Sequence, residues 1–394
     1  MAKERNKSIG FHMSNLPLAS QAEALHEINL KFCDVPVRIA SDASHFVRFF
    51  ARMYDRFQVK DFPGQSRPPL EFALLAGSEN AWGRPVLVLD GAGWPLDGAV
   101  GLQGLAHDVI LNVILARVRS HLLIHAAVVA QGNEAIILAG DSGHGKTTLA
   151  LALVRRGYAF LSDELAALGR VDRLVHPFPR RLRLRPGTLE RLGWALPDSG
   201  NGDRQDRLSV DIEDLQPGCL GKPARIRHVI ILEDSLRPNG ETDQQPEREM
   251  GIFVDRTDPR LLEAARRIDG VTQVWETVEM DCPVIRIIAR RRMAALTEIE
   301  RACRELQILI LDVSKRPLSV PSFEQPAELK PMPRSQAVME LIRQFQPGHK
   351  STLLAQGPST QLFVELATMI DQATTFQLRT GPLEETVDLI CGLS

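Results

Sequence analysis

Gly140, Gly145, Lys146 and Thr147 stand in the spacing GxxxxGK[ST] inside the run AGDSGHGKTT, and residues of these types at that spacing hold phosphate. Gly140, Gly143 and Gly145 admit backbone conformations that a side chain would forbid and leave room for phosphate oxygens to approach the amides. Lys146 can reach the β- and γ-phosphates as a point charge, and the Thr147 hydroxyl is a hard oxygen ligand suited to Mg²⁺. Asp141, Ser142, His144 and Thr148 complete the loop around a nucleoside triphosphate, with His144 at a variable position expected to face solvent. Two adjacent acids, Asp163 and Glu164, follow Lys146 by seventeen and eighteen residues. One can hold a metal ion while the other takes a proton from an incoming hydroxyl.

The elements that must position these groups are written around them. Glu134 to Ala139 is a short apolar run of the kind that forms a buried strand, and Lys146 to Arg156 carries helical spacing stopped by Gly157. Strand, glycine loop and helix together turn amides and the positive end of a helix toward an anion. Tyr158 to Leu161 predicts a strand that delivers Asp163 and Glu164 at its end. His125 lies in the apolar strand Leu122 to Ala130, where a lone histidine is either a satisfied core residue or a catalyst. Between Gly169 and Arg191 seven arginines face only Asp172 and Glu190, and from Arg181 to Arg185 arginine alternates with leucine. A strand there puts guanidinium groups on one face and Leu182 and Leu184 on the other. Guanidinium groups suit a phosphoryl group in transfer, and a solvated basic face is the alternative. A second apolar strand, Arg227 to Leu232, ends in Glu233-Asp234 and makes Asp234 a rival metal-side acid.

The strand LLIHAAVV with His125, the loop GDSGHGKTT, the segment RRGYAFLSDE and the later PFPRRLRLRPG resemble the HPr kinase/phosphorylase family and related bacterial serine kinases, with a more distant similarity to ATP-dependent phosphoenolpyruvate carboxykinases. The resemblance runs from Leu105 to Asp234 and returns weakly over the last sixty residues. It implies an α/β P-loop kinase core, Asp163 as the base that activates the acceptor hydroxyl, and Thr147 with Glu164 on the Mg²⁺ side. It also places His125 near the phosphates, and Arg180, which follows Pro177-Phe178-Pro179, as the first choice of active-site arginine, with Arg181 second. The second acid is Glu where HPr kinase has Asp, and the glycine-rich signature further downstream in those enzymes is missing, so the resemblance favours a related branch over the parent enzyme.

Composition fits a soluble nucleotide enzyme. The chain has 394 residues, and its 47 basic and 49 acidic side chains leave a net charge of −2, so no overall field points to nucleic acid or membrane. No aromatic interleaving accompanies the arginine run, which argues against nucleic acid as a partner. Five cysteines lie far apart without metal-ligand spacing and read as reduced thiols. No segment approaches eighteen apolar residues, and MAKERNKSIG is too polar to begin a signal peptide, so a cytoplasmic location is expected.

Four regions are expected: an N-terminal α+β domain over 1–95, a P-loop kinase core over 96–234, an α+β insertion over 235–333 acting as lid or recognition module, and a C-terminal helical part of the core over 334–394. Spacing predicts helices over Ala19 to Leu30 and His45 to Phe57 and strands at Pro36 to Ala40, Leu70 to Leu75 and Pro85 to Leu89. Arg237 to Glu249 is polar and reads as flexible, and Ser335 reads as a helix cap. The function that follows is an ATP- and Mg²⁺-dependent kinase acting on a serine-like hydroxyl of a peptide, protein or small molecule, with homo-oligomerisation left open. The competing readings are a P-loop ATPase or switch using Asp234, and a module that senses nucleotide without turnover.

Overall fold

The structure is a computed structural model that describes residues 25–393 apart from 63, 65–66, 76–84, 91, 96–101, 141–143, 185, 196–207, 234–247, 280–281, 307, 309, 317–324 and 357–358. It is a mixed α/β chain with several sheets. The first sheet has the order β1 (His26–Phe32), β2 (Val35–Ser41), β3 (Leu70–Leu75), β4 (Val86–Leu89) and β5 (Ala92–Pro95), with β2 and β3 parallel and the other neighbours antiparallel. Helix α1 (Ser44–Met53) buries Phe46, Val47, Phe50 and Met53, the one-sided spacing of a helix packed on a sheet. The helix expected over Ala19 to Leu30 is corrected: positions 19–24 lie outside the described residues, and from His26 the chain is strand. Ile28, Leu30 and Phe32 alternate with polar residues, a period of two that outweighs the helical spacing read further upstream.

Helix α2 (Leu102–Arg117) leads into β6 (His121–Gln131), whose almost unbroken apolar run is buried on both faces. Then come β7 (Glu134–Ala139), α3 (Lys146–Arg155), β8 (Ala159–Ser162), β9 (Leu165–Gly169), β10 (Leu174–His176), the small ribbon of β11 (Leu182–Leu184) and β12 (Leu208–Val210) with α4 (Pro186–Arg191) and α5 (Ile212–Leu215), and β13 (Ala224–Leu232). In β11, Leu182 and Leu184 are buried and Arg183 is exposed.

A four-stranded sheet follows, formed by β14 (Arg248–Val254), β15 (Val271–Glu279), β16 (Cys282–Ala289) and β17 (Ile310–Arg316) in the order β15-β16-β14-β17, with α6 (Pro259–Arg266) and α7 (Arg292–Glu305) on a core of their own. Asp258 caps α6 by accepting from the Arg260 amide, and Pro259 occupies its first turn. The polar reading of Arg237 to Glu249 is corrected at its end, since β14 already includes Arg248 and Glu249; positions 237–247 lie outside the described residues. Buried Met250, Ile252 and Val254 supply the strand's apolar face, and the run of charge before them hides where it starts.

The chain closes with β18 (Glu328–Pro331), α8 (Arg334–Arg343), α9 (Pro347–Gln356), α10 (Ser359–Met369), β19 (Thr374–Arg379) and α11 (Leu383–Cys391). The start of α8 is carried by Pro333 at its N-cap without a side-chain cap, which corrects the capping role read for Ser335; proline's fixed φ pre-sets the turn. Strands β18 and β19 return to the large sheet, whose order is β10-β9-β6-β7-β13-β19-β18 with β8 also on β6. Strand β10 pairs β9 on one side and β13 on the other, so one end of the sheet curls into a closed ring. The parallel pairs β7–β13 and β13–β19 lie beside the glycine loop. Helices α3 and α11 pack on one face, with Leu149 to Val154 of α3 all buried. Helices α8 and α10 contribute to the apolar cluster that covers the opposite face. The core of the first sheet is continuous through α2 with Leu123, Leu165, Ala167 and Phe178.

Candidate active site

The glycine loop leaves β7 at Gly140 and enters α3 at Gly145. Gly145 has φ +84, a left-handed conformation that only glycine adopts without strain, and it N-caps α3. A Cβ on Gly140 would come 3.0 Å from Leu232 Cβ, because the end of the parallel strand β13 lies against it. Lys146 is buried and donates from Nζ to the Gly140 carbonyl at 2.7 Å, which folds its ammonium back over the loop. Thr147 and Thr148 are half-buried in the first turn of α3, while Asp141, Ser142 and Gly143 lie outside the described residues. His144 is only 4% exposed, which corrects the solvent-facing position expected for it. Residue spacing within a glycine loop does not report which way the side chain between its glycines turns.

Asp163 and Glu164 stand at a break between two strands that both pair with β6. Val128 of β6 faces Ser162, His125 faces Leu165, and the Ala126 amide donates to the Glu164 carbonyl at 3.0 Å. Ser162 Oγ makes the break by accepting from the amides of Glu164 and Leu165 at 3.3 and 3.0 Å. The two acids therefore leave the regular alternation of a strand. Asp163 is 6% exposed and its Oδ1 has no hydrogen-bond partner among the described residues, whereas Glu164 is ion-paired with Arg180. Burial raises the Asp163 carboxyl above its ordinary value of 3.8, against the opposing pull of Arg180 and Lys146. Lys146, Asp163, Glu164 and Arg180 thus form one charged group beside the glycine loop.

His125 is half-buried, one residue before the Ala126–Ala139 pair and opposite Leu165, so it lies between the start of the loop and the acidic pair. Its amide donates to the Gln344 carbonyl at 2.6 Å, which ties β6 to the turn before α9. Arg180 reaches the site because the Phe178 amide donates to the Leu161 carbonyl at 2.9 Å and holds Pro177-Phe178-Pro179 beside β8. Arg181 is turned elsewhere: its guanidinium bonds the Ser209 carbonyl at 3.4 Å and lies 4.0 Å from Asp214. Asp234 lies outside the described residues.

A cavity with about 300 Å³ of open space adjoins the charged group, lined by Tyr54, Leu115, Glu164, Phe178, Arg180 and Gln346 among others. Tyr54 and Gln346 come from distant parts of the chain, and no local motif marks either one. Among the described residues no helix is long and apolar enough to cross a membrane.

No family model and no curated protein matches the sequence. One solved structure with a detectable likeness is the Hpr(Ser) kinase/phosphatase from Coxiella burnetii, at 15% identity over 47% of this chain and 97% of that chain, with a TM-score of 0.20. A likeness that faint carries no weight for function, which is left to the geometry of the site.

Proposed function

We propose that the protein is a P-loop kinase that uses ATP and Mg²⁺ to phosphorylate a serine-like hydroxyl of a peptide, protein or small molecule. The observation that carries this reading is Asp163: a carboxylate 6% exposed, with Oδ1 unpartnered among the described residues, facing a buried lysine and an arginine beside a glycine loop. A buried carboxylate with a free oxygen and a raised pKa is a better proton acceptor than an exposed one, which is what activation of an alcohol requires.

The residues present fit the nucleotide and the metal. Gly140 and residues 144–148 supply amides, Lys146 neutralises phosphate charge, and Thr147 and Glu164 offer the hard oxygens that Mg²⁺ prefers. The metal's contribution is charge neutralisation on the β- and γ-oxygens. Arg180 adds a planar donor set for the phosphoryl oxygens, and Asp163 takes the acceptor's proton. In this reading His125 contacts the same region from β6.

The test is mass spectrometry of candidate acceptors after incubation with the protein, ATP and Mg²⁺, with Asp163→Asn as control. A phosphorylated acceptor that disappears in the variant supports the reading. ATP loss without a phosphorylated product, equal in the native protein and the variant, sinks it.

A further inference from the structure

The segment that delivers Arg180 is gripped by the N-terminal part of the chain at several points. Phe178 packs against Phe57 and Phe32 at ring distances of 4.7 and 6.1 Å. The Arg181 amide donates to the Met53 carbonyl at 3.2 Å, and Arg56 makes two 2.9 Å bonds to Asp211, the residue that caps α5. At the centre of this contact is Tyr54, the residue that ends α1, which has no exposed surface.

The Tyr54 hydroxyl lies 2.9 Å from His107 Nε2, and His107 Nδ1 lies 2.7 Å from Asp108 Oδ1. Hydrogen-bond capacity gives this chain a direction. An ionised carboxylate only accepts, so Nδ1 carries the proton toward Asp108 and Nε2 of the neutral ring is left as an acceptor. Tyr54 then donates its proton to His107, and its oxygen lone pairs remain for another donor. The group placed to supply it is Arg180, which lines the same cavity as Tyr54 and whose charge acts on its hydroxyl. Burial pushes the Tyr54 hydroxyl up to about 12, with Arg180 the largest opposing influence, so the group works as a neutral phenol.

A tyrosine that served packing alone would be satisfied by one partner. Here a carboxylate, an imidazole and a phenol are ordered in series beside a cation that also pairs with Glu164 and whose buried Nε has no partner among the described residues. We propose that Tyr54, oriented by His107 and Asp108, is a positioning residue that fixes the Arg180 guanidinium for phosphoryl transfer, which makes the N-terminal sheet and α2 part of the catalytic machinery. This rests on the kinase reading given above.

Two readouts test it on the full chain. The protein contains two tyrosines, so labelling the tyrosine ζ-carbon gives two NMR signals, assigned by Tyr54→Phe. Arg180→Ala and His107→Gln should each move the Tyr54 signal and leave that of Tyr158 in place. Turnover of Mg·ATP with water as acceptor should show a loss of kcat of about 10-fold in Tyr54→Phe, within the range that misplacing a catalytic group causes, at unchanged KM for ATP. In an Arg180→Ala background, Tyr54→Phe should have no further effect; His107→Gln, which keeps an acceptor for the phenol, should fall between native and Tyr54→Phe. A Tyr54 signal indifferent to Arg180→Ala, or an equal loss from Tyr54→Phe in both backgrounds, overturns the proposal and leaves Tyr54 a packing residue. Turnover indifferent to Asp163→Asn would overturn the kinase reading instead, and the Tyr54 signal would still decide the link to Arg180.

Discussion

One contribution to acid sensitivity should come from the buried imidazole of His349 in α9. The side chain has no exposed surface and stacks on Phe345 at 6.2 Å with the rings 8° apart. Its Nδ1 donates to the Leu115 carbonyl at 3.2 Å, while Nε2 has no hydrogen-bond partner among the described residues. Protonation would place a second N–H and a full charge in apolar surroundings. Burial, reinforced by the charges of Arg119 and Arg170 and opposed by Leu115 and Asp34, pushes the His349 pKa down from 6.5 to about 4. The unfolded chain therefore binds this proton between pH 6.5 and 4 while the folded chain does not, and stability present above 6.5 is lost as pH falls. Each pH unit below 6.5 removes ~1.36 kcal/mol, so acidification to pH 5 removes roughly 2 kcal/mol from this residue alone. In His349→Gln the amide can still donate to Leu115 but cannot titrate. Urea unfolding of both proteins at pH 7 and pH 5 reads the difference directly, and the gap between them should narrow or reverse by about that amount. An identical pH dependence in the native protein and the variant would refute the reasoning. Activity should follow the same limb, because the turn before α9 supports β6 through His125 N to Gln344 O and Gln346 N to Leu123 O.

Three variants test the site and its supports. Asp163→Asn should slow phosphoryl transfer by about 10²–10⁴-fold. The same variant should be more stable than native at pH 7 and equal to it below 3.8, since the raised pKa means the folded state resists ionisation as pH climbs; denaturation midpoints across pH check the sign. Gly140→Ala drives a methyl group to 3.0 Å from Leu232 Cβ and 3.3 Å from its carbonyl oxygen, and should lose about 1–3 kcal/mol of stability together with affinity for a fluorescent ATP analogue. Arg56→Ala leaves the Asp211 carboxylate, 11% exposed, without its two-bond partner and should lower stability by about 1.5–3 kcal/mol in chemical denaturation.

The strand–loop–helix unit around Lys146 was readable because each of its signals is local: an apolar run, glycines at fixed offsets, and a helical pattern with a glycine stop. The acidic pair was readable for the same reason. The Ser162 turn that separates Asp163 from Glu164 was not, since it depends on β8 and β9 both pairing with β6. Helix α9 escaped notice because PGHKSTLLAQ has little apolar periodicity and owes its place to packing against α2. Tyr54, His107 and Asp108 lie far from Arg180 in sequence and meet it only through the fold, so no spacing rule could have joined them. Gly251 shows the limit from another side: a Cβ there would come 2.9 Å from the guanidinium of Arg286, a buried cation paired with Glu249, and nothing in either residue's neighbourhood announces the match.

The closed ring at one end of the large sheet bears on how copies of this chain can meet. Strand β10 spends its main-chain groups on both β9 and β13, so that end offers no ladder for another molecule to extend. The opposite end is β18, whose Pro331 lacks a donor and whose Glu328 is bracketed by Lys330 and Arg379 at 2.9 Å each. An incoming strand would have to displace those ion pairs and accept a missing amide. The sheet that carries the glycine loop is therefore shielded at both ends from edge-to-edge growth.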